Sequence, residues 1–328
     1  MRALVIGSGR MAGIRASALR ELDDVELLFA TRDLTRAQAL AEQYDGSATT
    51  VEAGVQDSPD LVFVTSATAH HRADLELALT AGVPILVEKP LAASISDSEA
   101  LSAKASELGV PVIAGFQRRF DRGFRRLKDA IDSGEAGRLY VMRSASMDHT
   151  PGRPEFIAAS AGIFHDLFVH DIETAMWLTG QRVVSVYAVG DSRVSPAYAE
   201  HGDADVATII AHLDDGLTVT MHGVRHEPLG QDVRWEVYGS GSALSAGLSQ
   251  RTPVLAVEEP GLTNVGAPLT FQERFADAFV EETRSFVRSC ATGTEFLGCT
   301  AAEAVLVSRV ADACTRSSAA GHAVVVEY

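Results

Sequence analysis

The chain has 328 residues, 46% hydrophobic and 22% charged, an ordinary globular composition long enough for about two domains with their own cores. Asp plus Glu number 44 against 28 Lys plus Arg, and the net charge of −16 repels phosphate backbones, so nucleic acid is not an expected partner. No apolar run approaches the ~18 residues of a membrane span, and three cysteines without metal-ligand spacing (Cys290, Cys299, Cys314) read as reduced thiols, so a cytoplasmic protein with no membrane partner is expected.

"RALVIG" (2–7) is a short apolar, β-branched run ending in Gly, the signature of a buried parallel strand. "MAGIRASALREL" follows with helical spacing, then a strand "VELLFAT" (25–31) and a helix "DLTRAQALAEQY" (33–44) capped by Asp33. The strand theme repeats in "DLVFVTSA" (60–67), "PILVEKP" (84–90) and "PVIAGF" (111–116). Helices "HHRADLELALTAG" and "SISDSEALSAKASELG" lie between them, each closed by Gly. Strands alternating with helices predict a doubly wound parallel sheet covered on both faces. After Phe116 the pattern changes. A helix is predicted near 119–133, where the basic run "RRFDRGFRRLK" reads as a solvated face. A strand "GRLYVMRSASMD" and a helix bearing "GIFHDLFVHDIE" (162–173) follow. The longer half-alternating runs "VVSVYAVGD", "ADVATIIAHLDDGLTVTMHGV" and "DVRWEVYGS" come next, with Asp-Gly marking a hairpin turn. They predict an antiparallel sheet, completed by helices near 271–291 and 300–319 and a final strand. The expected organisation is an α/β Rossmann domain over 1–118 and an α+β domain over 119–328.

"VIGSGRMAG" (5–13) sets Gly7, Gly9 and Ala12 in a G-x-G-x-x-A pattern between the first strand and first helix, with Arg10 and Met11 inside the turn. Gly7 permits the tight turn, Gly9 lets backbone approach a pyrophosphate, and Ala12 allows close helix–strand packing. The helix N-terminus supplies N–H groups for the anion. At the end of the second strand, where NAD sites place an acid on the ribose, stand Thr31 and Arg32. Arg32 favours NADP through its planar fork; the alternative is that Arg32 flanks the adenine and Asp33 reaches the ribose of NAD.

The segment "GIFHDLFVHDIE" admits three readings: a metal site, a structural Asp–His pair, or an acid/base site. On one helix Asp166 and His170 share a face, whereas His165 and His170 stand about 140° apart and cannot grip one ion, so no metal is expected.

With "VEKPLA" (87–92) the chain resembles the Gfo/Idh/MocA oxidoreductases, the family of glucose–fructose oxidoreductase and inositol dehydrogenases. The resemblance also runs through the Gly-rich turn, "GFQRRFD" (115–121), Asp166-x-x-x-His170-Asp171, "RWEVYGS" (234–240) and "ERFADAF" with "SF" (273–286). It implies a Rossmann domain followed by an open-faced antiparallel sheet, through which members pair into homo-dimers or homo-tetramers. The implied activity is NAD(P)-dependent hydride transfer at a secondary alcohol or ketone of a sugar, cyclitol or related polyol. The implied catalytic set is Lys89, Asp166 and His170, with Lys89 and His170 converging on one substrate oxygen beside the nicotinamide. Ser66, His71, Glu88 and Lys89 join the cofactor candidates. Gln117, Asp148, His149, Arg153 and His165 are substrate candidates, while Arg118, Asp171 and Glu173 read as structural. Two departures stand out. "SATAHH" puts Ala67 and Thr68 where relatives carry Pro and Asn, and Leu229 and Gln231 replace tyrosines usual in inositol dehydrogenases, which points away from inositol itself. The alternative on the same fold is a non-catalytic regulator that senses nucleotide or sugar.

Overall fold

The computed structural model describes residues 1–258 and 266–328. In chain order the elements begin with β1 (Arg2–Ile6), α1 (Arg10–Arg20), β2 (Glu26–Ala30), α2 (Leu34–Tyr44), β3 (Ser47–Thr49), α3 (Val51–Gln56), β4 (Leu61–Val64) and α4 (Thr68–Ala78). Then come β5 (Ile85–Glu88), α5 (Ile95–Leu108), β6 (Val112–Gly115), α6 (Arg122–Asp132), β7 (Leu139–Met147), α7 (Pro154–Ala159), α8 (Ile163–Asp166) and α9 (Val169–Thr179). Next are β8 (Val183–Asp191), α10 (Pro196–Glu200), β9 (Val206–Leu213), β10 (Thr218–Val224), β11 (Asp232–Gly239), β12 (Ala243–Ala246) and α11 (Phe271–Arg274). The series closes with α12 (Ala276–Thr292), β13 (Cys299–Thr300), α13 (Ala301–Ala320) and β14 (Val324–Val325).

Two compact units result, Met1–Gln117 with Asp277–Leu306, and Arg118–Ala276 with Val307–Tyr328. The expectation that everything after residue 119 belongs to the second domain is therefore corrected for 277–306, and the reason is chemical. The first unit's sheet runs β13-β6-β5-β4-β1-β2-β3, with six parallel strands and β13 antiparallel to β6 at its edge. Its inner strands are covered on both faces, which is why they read as unbroken apolar runs. In its core Val5, Phe29 and Phe63 pack with Phe286 and Val287 of α12. Phe286 meets Phe63 edge-on at 5.5 Å and Phe296 at 5.4 Å. Burying one such ring stabilises the fold by about 1.5–3 kcal/mol. Arg15 of α1, wholly buried, donates to Glu88 Oε1 of β5 at 2.8 Å, to Glu282 Oε2 at 2.6 Å and to Thr283 Oγ1 at 3.1 Å. A cation with no access to water needs charged acceptors around it. α12 supplies one of the two carboxylates, so the nucleotide-type unit closes only when this late segment returns.

The second unit's sheet runs β12-β11-β7-β10-β9-β8-β14. Its pairs are antiparallel except the central β7–β10 pair, which is parallel. β9 and β10 join through Asp214–Leu217, the hairpin marked by Asp-Gly. Alternation is strict across the sheet: Ala188, Ile209, Met221, Ser144 and Trp235 form a buried row, and Tyr187, Ile210, Thr220, Arg143 and Glu236 form the adjacent, more open one. No disulfide joins any of the three cysteines; burial pushes the Cys290 thiol up to about 11 and raises Cys314 further. Among the described residues no helix is long and apolar enough to cross a membrane.

Candidate functional site

In the first unit the Gly-rich turn has the geometry its sequence predicts. Gly7 has φ +122°, and a Cβ there would lie 2.6 Å from the backbone nitrogen of Ser66, so only glycine fits. Gly9 caps α1 with no side-chain hydrogen bond, and nothing lies within 4 Å of where its Cβ would be. The first-turn N–H groups of α1 thus open onto space that a side chain at Gly9 would fill, the cradle a pyrophosphate needs. Arg10 is exposed, Met11 half-buried, and Ala12 is buried between helix and sheet. Beside Gly7, the buried Ser66 hydroxyl has no hydrogen-bond partner among the described residues. These features fit a dinucleotide.

Two cofactor candidates carry structural duties. His71, 1% exposed, places Nδ1 2.7 Å from the Pro90 carbonyl and Nε2 2.9 Å from that of Ser66. It ties the loop after β4 to the loop after β5, where Lys89 stands half-buried and the Lys89–Pro90 bond is cis. Glu88 is held by Arg15. At the end of β2, the Thr31 hydroxyl donates to the Asp33 carbonyl, and the Asp33 carboxylate caps α2 by accepting from Thr35 N–H at 3.1 Å. Arg32 pairs with Asp74 of α4.

In the second unit the His-Asp segment is not one helix. α8 ends at Asp166 and α9 begins at Val169. At the junction Phe168 N–H reaches back five residues to Ile163, and the ladder then resumes with Ile172 N–H to Phe168. The expected regular i, i+4 pairing of Asp166 with His170 is corrected by this widened turn. Its cause lies in packing. Phe168 and Leu167 sit against Gly223 of β10, where a Cβ would come within 2.6 Å of the Phe168 ring. Asp203 fixes the other end by accepting from Ile163 N–H at 2.8 Å.

The residue that organises this region, Arg225, is absent from the sequence-based candidates. It is 4% exposed and follows Val219, Met221 and Gly223 on the buried face of β10. Its Nη1 lies 2.9 Å from Asp166 Oδ2 and 3.1 Å from Asp148 Oδ2. These neighbouring carboxylates hold the guanidinium firmly charged against the cost of burial. Asp148 also accepts from Gln231 Nε2 at 3.1 Å, and its backbone pairs with Val224 and Glu227. His149 Nδ1 lies 3.0 Å from the Glu227 carbonyl. Period-two alternation through β10 was the available signal, since it carries the buried register onto Arg225.

The remaining candidates divide. His170 is half-buried and its carbonyl accepts from Thr174 at 2.7 Å. His165 is half-buried, and desolvation lowers its pKa against a weaker opposing pull from Asp312. Arg153 is exposed at the start of α7, apart from the Arg225 network, and Gln117 is buried. Asp171 accepts from Arg118 at 3.0 Å and Ser146 at 2.9 Å, and Glu173 pairs with Arg119, all buried. No group of three or more His, Cys, Asp or Glu among the described residues has metal-site geometry.

Comparison with known proteins agrees with these features. Residues 1–116 match the model described as "Oxidoreductase family, NAD-binding Rossmann fold", and 124–245 match the GFO/IDH/MocA C-terminal domain. A myo-inositol dehydrogenase of Streptomyces leeuwenhoekii, Hyg17, is 34% identical over 89% of each chain. The chain belongs to the Gfo/Idh/MocA oxidoreductases. Within this family, the myo-inositol 2-dehydrogenase of Thermotoga maritima is 31% identical over 89% of each chain. Among solved structures, a probable dehydrogenase from Thermotoga maritima superposes with TM-score 0.91 at 27% identity, covering 99% of each chain. A Lactobacillus casei scyllo-inositol dehydrogenase with bound NAD(H) and scyllo-inositol does so with TM-score 0.88 at 25% identity, again over 99% of each chain. As a Gfo/Idh/MocA member with these relatives, the chain is an NAD(P)-dependent oxidoreductase acting on CH–OH groups. The relatives are dehydrogenases, which favours this activity over the sensing regulator.

Proposed function

We propose that this chain is an NAD-dependent dehydrogenase of a cyclitol or related polyol. In this reading Lys89 orients and polarises the reacting oxygen and His170 accepts its proton. Asp166 orients His170 or holds a neighbouring hydroxyl, and Asp148 and His149 bind further hydroxyls, with Gln117, Arg153 and His165 as outer contacts. The observation that carries the reading is the Asp148–Arg225–Asp166 cluster, in which two partly exposed carboxylates are locked by one buried cation. Fixed acceptors beside a histidine-bearing turn are what a ring of hydroxyls needs for orientation.

Loss of hydride from a carbinol carbon is easy only as the O–H proton departs, so a base must stand within hydrogen-bond reach. An imidazole suits that role because its ordinary pKa lies near neutrality. The bound nicotinamide supplies the hydride acceptor. Gly7, Gly9, Arg10, Met11 and Ala12 would hold its pyrophosphate, and Ser66 would lie alongside. NAD is preferred here over the NADP suggested by Arg32 alone, because Arg32 already pairs with a buried carboxylate. The Lactobacillus casei relative carrying NAD(H) supports the same choice. Gln231, which braces Asp148, stands in for a tyrosine of inositol dehydrogenases, so the ring bound here is taken to differ in its substituents. The open row containing Tyr187 and Ile210 supports self-association into dimers or tetramers through the second sheet, and the cytoplasm is taken as the compartment.

The test is steady-state oxidation of a cyclitol and sugar panel, read as reduced nicotinamide. Lys89→Ala and His170→Ala should each lower kcat by about 10²–10⁴ with NAD affinity largely unchanged. Near wild-type turnover in either variant would refute the roles.

A further inference from the structure

Arg32 stands where βαβ nucleotide units read the adenosine ribose, and a free arginine there would grip a 2′-phosphate. Here it is not free. Its Nη2 lies 2.6 Å from Asp74 Oδ1 and its Nη1 3.4 Å from Oδ2. The partners are unequally exposed, the Arg32 side chain at 49% and that of Asp74 at 2%. Asp74 belongs to the inward stripe of α4, with His71, Leu75 and Ala78. A carboxylate so placed is costly unless paired, and Arg32 supplies the pairing cation.

We propose that Asp74 sets the cofactor preference of this chain, by holding Arg32 and cancelling the charge that a 2′-phosphate would otherwise bind. The proposal rests on the reading of the chain as NAD-dependent. Two consequences of the pairing oppose a 2′-phosphate. Recruiting Arg32 would strip a buried carboxylate of its partner, and leaving the pair intact would offer the phosphate dianion a guanidinium whose charge Asp74 has already neutralised. NAD, with a neutral hydroxyl at that carbon, meets neither penalty. The half-exposed guanidinium remains available to lie against adenine, which both cofactors share. Two further arginines, on α2 and α4, are also engaged: Arg36 pairs with Asp33, and Arg72 with Glu76 and Asp97. Asp74 is thus a positioning residue acting through Arg32, and only the phosphate-bearing cofactor should sense its removal.

The experiment measures Kd for NAD and NADP by calorimetry, at one fixed ionic strength, on the full chain. Wild type, Asp74→Asn, Asp74→Glu, Arg32→Ala and the Asp74→Asn/Arg32→Ala double variant are compared. Asp74→Asn should tighten NADP about ten-fold, equivalent to ~1.4 kcal/mol, and leave NAD nearly unchanged. The gain should vanish in the double variant, and Asp74→Glu should behave as wild type. Arg32→Ala alone should weaken NAD and NADP by comparable factors through the lost adenine contact, with NADP penalised only slightly more by the carboxylate left at Asp74, an arm that stands even if Asp74→Asn fails to fold. NADP affinity unchanged or weakened in a folded Asp74→Asn protein, or NADP weakened far more than NAD in Arg32→Ala, would overturn the proposal. Tighter NADP than NAD in wild type would instead overturn the NAD reading, while the ratio between Asp74→Asn and wild type still judges Asp74.

Discussion

Replacing Arg225 with methionine removes a buried cation from between two carboxylates and leaves an unbranched apolar chain in place of its aliphatic stem. Each of its contacts, at 2.9 Å to Asp166 and 3.1 Å to Asp148, corresponds to about 5–6 kcal/mol of gross attraction at an effective dielectric near 20. Burying the guanidinium takes back several kcal/mol, so the net cost of losing it is about 3–5 kcal/mol. Both acceptor oxygens lie within 3.1 Å of one nitrogen, so without it the two carboxylates face each other inside the ~6 Å range of strong like-charge repulsion. For a unit of this size the loss should appear as a fall in Tm of about 6–20 °C. Kinetics should register it as well, because displacing a positioned group by about 1 Å costs on the order of 10²-fold in rate. Thermal melts and kcat/KM on the best substrate of the panel measure the two effects, and Arg225→Lys, which keeps charge but not the fork, should fall between. A methionine variant that melts within ~2 °C of wild type and retains its kcat/KM would show that the carboxylates are placed by their backbone alone.

Two further expectations concern stability. Glu282→Ala leaves the wholly buried Arg15 with Glu88 as its remaining carboxylate, and should cost about 3 kcal/mol, with Glu282→Gln milder. Calorimetric melting checks this, and an unchanged transition would mean that Glu88 alone neutralises Arg15. His165 and His222 both have folded pKa values lowered, by burial first and for His222 also by Arg143. The unfolded chain therefore binds protons more readily below about pH 6.5, so the neutral-histidine contribution is full above that pH and falls away on acidification toward the depressed folded values. Tm should drop between roughly pH 7 and 5.5, and a His165→Asn/His222→Asn variant should show a shallower slope; an identical slope would count against it.

The elements that could be read from sequence were those whose pattern and packing agree. The apolar runs of β1, β4, β5 and β6 bury both faces, and the glycine turn follows from the crowding at Gly7. The short β3 and α3 passed unnoticed because three-residue and six-residue elements carry no usable period. The placement of α12 was illegible for a different reason. An amphipathic helix records that one face is buried, not what buries it, and its bond to Arg15 is 267 residues long in sequence. The break at Leu167–Phe168 was hidden because both residues keep helical dihedrals while the hydrogen-bond ladder shifts by one. Of the candidate site, Asp148 could be read as a polar group in a loop and Asp166 as the helical partner of His170, but the cation they share required the tertiary register of β7 beside β10. Arg32 illustrates the converse: its sequence context indicated a phosphate clamp until Asp74, 42 residues away, was seen to occupy it.

The late return of 277–306 bears on how the polypeptide matures. At about 5–20 residues per second, the ribosome finishes Gly115 some ten to forty seconds before it delivers Cys299, the strand that pairs beside β6. Through that interval the sheet edge at β6 is uncovered and Arg15 lacks its second anion, so the amino-terminal portion emerges as an unfinished body awaiting its own distant tail. A gene fragment cut near residue 118 should inherit this incompleteness permanently, and an independently folding version would need 277–306 grafted back.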